Sequence, residues 1–566
     1  MGLSQSYLSQ SAYGYDTVSS VDVNGLNGIL KKYYTNSAKD FTAITMYFIK
    51  DSAGNPQAID LAALLALTGN IDPLTVKSTD TASINTIKNT SFYFAFKFTP
   101  GNPSTVPTFM FTYLKFVLGT QNVTYTLCCQ DIQLVFFDTE HNTWVNASQS
   151  QGSTLYNINA TITLQNILNN NNLPSNVQNE LNDLGNQGLS VYQLLFDFDT
   201  AAIDPSTTIP VLTKDNAIYT PLLDQFIPAY LNAFNTVVSP VLNYSVVQPN
   251  SATLIPTSMG FCFEQVVDAN GDVIGNPSAA QISQCTLNYL FATNGHALPA
   301  PKQFNWNWLD TGDVANYNGA MAINRNSFAA YFDSQLKNYV LGNCWSPVVT
   351  SSTSLLMPEY DVDINYGTYA SNFGVQPFNI NDLYAGSPDT LLLYMFNGKG
   401  TATGWTNNDT MTVSTHYWLQ LDVELPESTP PYLSKMLTLT QNLWITVDAT
   451  GNTDFEGHTP YNGSPVYKTF TDTFSVIVDP MGNVNLANTN SQVQDNSDNP
   501  ANIPQYVSEA LSRWVAWSTA ANFTQLPLAM PKQFVFPGGD TFTFTNAGFS
   551  NYSDLVCNVT YNNVKS

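Results

Sequence analysis

The chain has 566 residues and a net charge of −24, from 42 acidic against 18 basic residues, and only 11% of its residues are charged. Its length predicts roughly two to four domains, and its 43% of hydrophobic and 13% of aromatic residues are typical of a folded, β-rich protein. Nucleic acids and anionic membranes are bound through clusters of Lys and Arg, which this sequence lacks, so both functions are disfavoured.

The first residues lack the basic region and apolar core of a secretory signal, and no apolar run reaches membrane-spanning length. We therefore expect a protein without a transmembrane segment, cytoplasmic or released without a signal peptide. The six cysteines show no CxxC spacing and are expected to be mostly buried free thiols, with a bridge between Cys262 and Cys285 left open.

In chain order, residues 1–12 read as a polar arm, and a helix is predicted from about Asp22, a suitable N-cap, to Tyr34. The apolar face of this helix is formed by Val23, Leu26, Leu30, Tyr33 and Tyr34. A strand at 41–49 and a short helix ending near Gly69 follow. From residue 91 the alternation of apolar and polar residues predicts long antiparallel strands at 91–100, 108–119, 123–138, 154–168 and 190–203.

A second amphipathic helix is predicted at 221–238, where Phe226 and Tyr230 lie on the apolar face and Pro228 should introduce a kink. Residues 270–271, Asn-Gly, predict a hairpin turn. After residue 340 the strand pattern returns at 354–367, 389–398, 413–425, 433–448 and 466–480. Residues 486–504 read as a polar loop, and a last helix is predicted at about 504–519.

Two sequence features occur twice. Pro-Lys-Gln-Phe stands at 301–304 and again at 531–534, and the first predicted helix has an echo 302 residues later, where Asn324 takes the place of Asp22. The apolar stripe of that second copy contains Phe328, Tyr331, Phe332 and Leu336. A repeat of these elements in the same order predicts two related modules.

The stretches YGYDTV (13–18), FNWNW (304–308), GAMAINRNSF (319–328) and PKQFVFPGGDTFTF (531–544) resemble the TULIP superfamily of tubular lipid-binding proteins. The most similar branch looks like the OrfX-type accessory proteins of clostridial neurotoxin gene clusters. The resemblance implies an α+β, β-dominated fold with two TULIP-like modules, each a long helix wrapped by a curved antiparallel sheet with a second helix. The modules would be residues 1–310, including an inserted hairpin region, and residues 311–566.

The resemblance also implies a non-enzymatic protein that binds a lipid or another hydrophobic ligand, acts at membranes or beside a toxin, and has a toxin or sister accessory proteins as partners. It leaves the oligomeric state open and provides no fixed binding residues. The candidate ligand-binding residues therefore rest on helical periodicity alone. They are Leu26, Leu30, Tyr33, Phe226, Tyr230, Phe328, Tyr331, Phe332 and Leu336.

Two alternatives stay open. The same apolar side chains could pack at normal density without a slot, which would favour a structural or assembly scaffold. A carbohydrate-active or sugar-binding β protein is the other alternative, because aromatic rings and carboxylates suit sugar chemistry. The residues available for that chemistry are Trp306, Trp308, Asp310, Trp405, Trp418 and Asp422.

No nucleophile–base or metal-ligand constellation is evident around the four histidines, so we expect no enzymatic activity, no cofactor and no metal. Glu359, Asp361 and Asp363 alternate along a predicted strand and could gather a cation, but a solvated strand face is the preferred interpretation. The carboxylates around Asn270 are interpreted as a hairpin turn because the calcium-loop pattern is incomplete.

Overall fold

The fold is described from a computed structural model. It covers residues 2–37, 40–103, 112–149, 155–168, 178, 190–237, 241–247, 254, 256–342, 346–353, 360–367, 390–406, 409–425, 433–451, 459–479, 484–515, 525–527, 534–535 and 542–561. Within these residues the architecture is β-dominated, and the strands pair antiparallel, as the alternating sequence pattern predicted.

The helices are α1 (Val23–Ser37), α2 (Leu61–Leu67), α3 (Thr81–Lys88), α4 (Tyr219–Val237), α5 (Ala279–Ile282), α6 (Arg325–Gly342) and α7 (Gln505–Val515). The predicted N-cap of α1 is confirmed, since the backbone N–H of Gly25 donates to Asp22 Oδ1 over 2.6 Å. Asp60 caps α2 in the same way, accepting from the backbone N–H of Ala63. Pro228 lies inside α4, as the sequence indicated.

The first strands are β1 (Thr17–Asp22), β2 (Ile44–Lys50), β3 (Pro56–Ile59), β4 (Phe92–Pro100), β5 (Leu114–Phe116), β6 (Asn122–Thr126), β7 (Cys129–Asp138), β8 (Thr143–Ser148), β9 (Asn159–Leu168), β10 (Ser190–Ile203), β11 (Val241–Val247), β12 (Pro256–Glu264) and β13 (Thr286–Thr293). The later strands are β14 (Gly319–Ile323), β15 (Ser346–Thr353), β16 (Tyr360–Gly367), β17 (Thr390–Thr406), β18 (Asp409–Glu424), β19 (Met436–Gly451), β20 (Tyr461–Val478), β21 (Val484–Asp495), β22 (Gln525–Pro527), β23 (Phe534–Val535), β24 (Phe542–Phe549) and β25 (Leu555–Tyr561).

A central six-stranded sheet joins the two ends of the chain to its middle. Its order is β12-β13-β1-β14-β25-β24, so β1 and β14 are neighbours at its centre. Each of these two strands leads directly into a helix, β1 into α1 and β14 into α6. The central sheet therefore sets the starting points of both helices that the sequence analysis singled out.

The remaining sheets lie on either side in sequence. The first part of the chain forms a five-stranded sheet, β3-β2-β4-β7-β8, and most of a six-stranded sheet, β23-β11-β10-β9-β6-β5. The second part forms the long six-stranded sheet β17-β18-β19-β20-β21-β22 and the hairpin β15-β16. Helix α4 contacts β4 and β10, one strand from each of the first two sheets, and α6 contacts β17.

Both faces of the central sheet are buried. Val21 and Ile323 face one continuous hydrophobic cluster that includes the helices, whereas Val18 and Ala322 face a second cluster of aromatic and aliphatic residues. The N-terminal arm (residues 2–16) covers the second face together with residues 304–309. Leu8 of this arm is fully buried, so the expectation of a polar arm was wrong. Its few apolar residues fall on the side that contacts the sheet, which composition alone did not reveal.

The strand predicted at 123–138 is divided at residues 127–128 into β6 and β7, which belong to different sheets. Two further features also differ from the expectations. Residues 486–495 form most of β21 rather than a loop, because the backbone pairs along β20 although most of the side chains are exposed. Helix α3 was not predicted, and its N-cap is Asp80, which accepts from the backbone N–H of Ser83. In both cases hydrogen bonding outweighs a weak hydrophobic pattern.

No helix in the described part of the chain combines the length and the hydropathy that a membrane crossing requires. The five cysteines that the structure describes are free thiols, so Cys262 and Cys285 are not bridged.

Candidate functional site

The apolar face of α1 enters the main hydrophobic cluster. Leu26 and Leu30 are 1% and 6% exposed, and Tyr34, one turn further on, is fully buried. The ring of Tyr34 stacks on that of Tyr113 with centroids 5.1 Å apart. The backbone of Tyr33 belongs to α1, but its side chain lies outside the described part of the structure.

The apolar face of α4 packs into the same hydrophobic cluster as α1. Phe226 contacts the rings of Phe96 and Phe98 on β4, at 5.5 and 4.8 Å between centroids. Tyr230 stacks on Phe98 at 5.8 Å, and Phe234 contacts Tyr34 at 5.5 Å. Helices α1 and α4 therefore share one aromatic interior with the surrounding strands.

Three tyrosine hydroxyl groups meet inside this interior. The hydroxyl of Tyr34 is hydrogen-bonded to that of Tyr125 and lies 3.3 Å from that of Tyr230. The hydroxyl of Tyr230 donates to the carbonyl oxygen of Cys128 over 2.6 Å. Burial raises the pKa of Tyr34, Tyr230 and Cys128 well above the ordinary values, so these groups are neutral. They offer hydrogen bonds but no charge.

Helix α6 buries its stripe in the same cluster. Phe328, Phe332 and Leu336 are at most 1% exposed, and Tyr331 is partly buried against them. The ring of Phe328 lies 5.5 Å from that of Phe549 on β24. The structure thus brings eight of the nine sequence candidates into one hydrophobic cluster, and their role in ligand binding stays a prediction.

Sequence reasoning missed part of this interior. Tyr113, Tyr125 and Phe234 were not among the candidates, although they contact Tyr34. Phe234 continues the four-residue spacing of Phe226 and Tyr230 on the predicted helix face, but it was not included in the ligand candidates. Tyr113 and Tyr125 lie on or beside short strands, and only the tertiary structure shows that they face α1.

A serine, an aspartate and a histidine meet beside the central sheet, but not in the order that nucleophilic catalysis needs. Ser327 Oγ donates to Asp16 Oδ1 over 2.6 Å, and His296 Nδ1 lies 2.9 Å from Asp16 Oδ2. A serine nucleophile needs its hydroxyl beside the histidine, which takes up the proton. Here the carboxylate of Asp16 accepts the hydrogen bond from the serine hydroxyl, and it also accepts one from the backbone N–H of Thr293. The arrangement fastens the start of α6 to β13.

The carboxylates considered for a metal ion lie in two turns and on one strand. Side-chain ligand atoms of Asp138, Glu140 and His141 lie within 4.8 Å of one another, and the last two residues are exposed. The hydrogen bond to Asp138 raises the pKa of His141. Asp268 Oδ1 accepts from two backbone N–H groups of its own hairpin turn, as predicted. Asp361 and Asp363 lie on β16, and Glu359 is outside the described residues.

The residues proposed for sugar chemistry are scattered. Trp306 and Trp308 are at most 1% exposed and pack against Phe304, so their faces are not open to a ligand. Trp418 stacks on Trp444 with centroids 4.7 Å apart on the outer face of the long sheet. Burial raises the pKa of Asp422, on the same strand as Trp418, to about 6. The side chain of Trp405 lies outside the described part.

No protein-family model and no curated protein match the chain. Solved structures do. The chain is similar to P47 from Clostridium botulinum A2, with 11% identity over 98% of this chain and 100% of that one and a TM-score of 0.42. It is also similar to P47 of Clostridium botulinum E1, with 10% identity over 97% and 100% and a TM-score of 0.44. A lipopolysaccharide binding protein matches with 10% identity over 97% and 100%, at a TM-score of 0.30. All three likenesses are low, so we argue function from the residues of this chain.

Proposed function

We propose that the chain is a non-enzymatic protein that binds a lipid or another apolar ligand along α1, α4 and α6. The observation that carries this proposal is the aromatic interior that α1 and α4 share between two sheets. An amphipathic helix between two sheets is not paired with their strands. An apolar ligand can therefore enter between the helix and one sheet without breaking any hydrogen bond between strands. The sequence motifs that resemble tubular lipid-binding proteins support the same role.

The proposal includes two related modules, and the register of the central sheet supports it. β1 and β14 pair Thr17 with Ile323 and Val21 with Gly319. The residues 302 positions after Thr17 and Val21 are Gly319 and Ile323. These are the pairing partners of Val21 and Thr17, so the same offset relates the two residue pairs to each other. The flanking hydrogen bonds exchange as well: Asp22 N donates to the carbonyl of Asn318, and Asn324 N donates to that of Asp16. Every antiparallel pair has a local two-fold axis, and here the central pair is Ser19 with Met321, which are 302 residues apart like the two copies of the sequence.

Chain length should govern ligand selectivity. Each buried methylene contributes roughly 0.8 kcal/mol, so an acyl chain can bind without any contact to its headgroup. The net charge of −24 and the neutral tyrosines of the interior leave little to attract an anionic headgroup. We therefore propose binding that depends weakly on salt.

The experiment combines native mass spectrometry and lipid extraction of the purified protein with titration of a fluorescent fatty acid over a salt series. Two neighbouring alanines of α6 give a matched pair of variants. Ala329 is fully buried in the cluster, whereas Ala330 is exposed. Ala329→Phe should fill a ligand slot and weaken binding about tenfold or more, whereas Ala330→Phe should leave it unchanged.

A thermal melt separates the two interpretations of the same helix. If a ligand slot exists, Ala329→Phe is accommodated and the melting temperature changes little. If the cluster is packed solid, the added ring destabilises the protein by about 1–3 kcal/mol. No co-purified lipid, no fatty-acid binding and a strongly destabilised Ala329→Phe variant together would replace the lipid proposal with the scaffold alternative.

The resemblance of the motifs also supports a toxin or a sister accessory protein as a partner. The absence of enzymatic activity is part of the same proposal, and the bonding of Ser327 to Asp16 instead of His296 supports it. Robust turnover of ester, glycoside or peptide substrates that a single serine or carboxylate substitution abolishes would contradict it.

A further inference from the structure

Helix α2 is apolar on every side, although only one of its side chains is fully buried. The helix reads LAALLAL from Leu61 to Leu67, without a polar residue. Leu64 packs into a small cluster with residues of β2 and β4. Leu61 and Leu67 are 39% and 46% exposed, and the three alanines between them are exposed as well. A helix that is hydrophobic all round is normally buried, so this surface indicates an apolar environment outside the fold.

The neighbouring helix α3 shows the usual arrangement on the same sheet. Ile84 and Ile87 of α3 are buried in a cluster with residues of β7 and β8. The exposed residues of α3 include Thr81, Asn85 and Lys88. Both helices cover one face of the five-stranded sheet, since the strand residues beneath them, Ala95 and Val135, pair directly. Of these two helices, only α2 presents leucines to the outside.

Hydrogen bonds at both ends hold α2 in place. Asp60 Oδ1 accepts from the backbone N–H of Ala63 over 2.7 Å at the first turn. At the other end Thr68 is fully buried, and its backbone N–H donates to the carbonyl of Leu64 over 2.9 Å. The hydroxyl of Thr68 donates to the carbonyl of Ile71 over 2.6 Å. The apolar surface is therefore formed in advance, and little ordering opposes docking.

The shape of this surface favours a fluid partner over a second protein. At about 100° per residue, the exposed side chains span about 240° of the helix circumference, from Leu61 over the alanines to Leu67. A flat protein surface covers one face of a helix, whereas the acyl region of a membrane surrounds a protruding one. A stable protein interface takes roughly 800 Å² from each partner, and seven short side chains offer only a small part of that area.

The length of α2 limits how it can meet a membrane. Seven residues rise about 10 Å along a helix axis, whereas the hydrocarbon core of a bilayer is about 30 Å thick. Helices at membrane surfaces bury apolar side chains roughly 5–10 Å into the boundary between headgroups and acyl chains. The length of α2 therefore suits insertion at this boundary.

The charges around α2 select against anionic lipids. Between Lys50 and Lys77 the charged residues are Asp51, Asp60 and Asp72, all of them acidic. Anionic lipids attract helices that are flanked by clusters of basic residues, and here they would meet carboxylates instead. Lipids without net charge avoid this repulsion.

We propose that α2 docks the protein on the surface of a membrane of zwitterionic lipids, with Leu61 and Leu67 placed among the upper parts of the acyl chains. The apolar area is small, so the docking is weak and reversible. It does not depend on the proposed ligand interior, because Leu64 of α2 belongs to a different hydrophobic cluster from α1, α4 and α6.

The test is flotation of the full-length protein with vesicles of phosphatidylcholine, and with vesicles of phosphatidylcholine mixed with phosphatidylglycerol, over a salt series. We expect the protein to float with the neutral vesicles and to bind the anionic ones several-fold more weakly at low salt. High salt should remove this difference, because it screens the carboxylates. Flotation recovers intact vesicles, so transfer of single lipids into the protein does not register as docking.

Three variants measure the contribution of the helix. Leu67→Gln should weaken binding to neutral vesicles about fivefold, and the double variant Leu61→Gln/Leu67→Gln about tenfold or more. Ile282→Gln is the matched control, because Ile282 at the end of α5 is also 46% exposed and should leave vesicle binding unchanged. Gln and Leu have similar helix propensities, so the melting temperatures should stay close to that of the wild type.

Titration of the double variant with a fluorescent fatty acid keeps this proposal apart from the proposed function. Fatty-acid binding should equal that of the wild type while vesicle binding is lost. Wild-type flotation without any fatty-acid binding would support docking and reject the ligand interior.

Four results would overturn the docking proposal. They are the absence of flotation with neutral vesicles, equal flotation of wild type and a folded double variant, binding that rises with the share of anionic lipid, and a stable dimer in analytical ultracentrifugation that the double variant abolishes. The last result would show that a second copy of the chain covers α2 instead.

Discussion

Buried polar residues of this protein form hydrogen bonds that connect segments far apart in the chain. Asp554 is fully buried and accepts from Ser6 Oγ over 2.8 Å, from Leu8 N over 2.7 Å and from Arg325 N over 3.0 Å. One carboxyl group thereby joins the N-terminal arm, the start of α6 and the strand β25. Removing any of these donors would leave a buried carboxyl group with fewer partners.

The pH dependence of stability should report on Asp554. Burial raises its pKa to about 6 in the folded protein, against the hydrogen bonds from Leu8, Arg325 and Ser6, whereas an ordinary aspartate has a pKa of about 3.9. Between these values the folded state binds more protons than the unfolded state. This contribution to stability is therefore fully present below about pH 3.9 and is lost as the pH rises through 6. Chemical denaturation of wild type and Asp554→Asn between pH 4 and 7 measures it.

The difference in free energy of unfolding between wild type and Asp554→Asn should decrease as the pH rises from 4 to 7. Asp204 serves as a control, because its contribution to stability should depend on pH in the opposite direction. Burial alone would raise its pKa, but hydrogen bonds from Ser206, Thr161 and Thr124 outweigh burial and lower it. Its stabilising contribution is present above the unfolded pKa and is lost as the pH falls. Parallel curves for wild type and Asp554→Asn would contradict the prediction.

The buried hydroxyl of Tyr230 should stabilise the fold through its bond to the carbonyl of Cys128. Tyr230→Phe leaves that buried carbonyl with one partner fewer, so we expect the free energy of unfolding to fall by about 1–2 kcal/mol. Tyr552→Phe is the control, because Tyr552 is 39% exposed and should change stability little. Urea denaturation measures both, and equal stabilities of the two variants would refute the prediction.

At the scale of elements, sequence patterns located the longer helices and most of the long strands, because periodicity reports directly on burial, but they missed α3 and α5. The boundaries of α1 and α4 and the whole of β10 agree with the prediction to within a few residues. The patterns did not reveal which strands meet. The pairing of β1 with β14, about 300 residues apart in the chain, depends on tertiary contacts that no local pattern contains.

For the candidate ligand-binding residues as well, sequence patterns predicted burial but not the tertiary partners. Helical spacing identified Phe226, Tyr230 and Phe332 as residues of buried faces, because a stripe at steps of three and four must face a core. Their aromatic partners on strands were missed, since alternation alone does not say which sheet faces which helix.

The junction of β1 with β14 depends on a glycine at one end. A Cβ atom on Gly319 would overlap the carbonyl oxygen of Ser20, which is part of the partner strand's backbone and cannot move aside. Gly319→Ala should therefore destabilise the protein by more than about 3 kcal/mol or prevent folding. Gly275→Ala is the matched control, since no atom lies within 4 Å of the added Cβ. Thermal melts of both variants decide, and a stable Gly319→Ala protein would contradict the pairing.

At the scale of the whole molecule, the central sheet takes three strands from each side of residue 310. β12, β13 and β1 come from the first part of the chain, and β14, β25 and β24 come from the second. The main hydrophobic cluster also extends through both parts, from Val21 to Val559. The strand β23, near the C-terminus, pairs with β11 of the first part. The two proposed modules therefore share one sheet and one core.

This sharing predicts that the protein unfolds in one step. Separating the two parts would expose the edges of β1 and β14 and the apolar residues on both faces of the central sheet, which is unfavourable in water. Differential scanning calorimetry should therefore show a single transition whose calorimetric enthalpy equals the van't Hoff enthalpy. The fragments 1–310 and 311–566 should aggregate when they are expressed separately and should form a soluble complex when they are expressed together. Two resolved transitions, or a soluble and folded fragment 1–310 on its own, would show that the parts are independent domains and that the central sheet joins them only weakly.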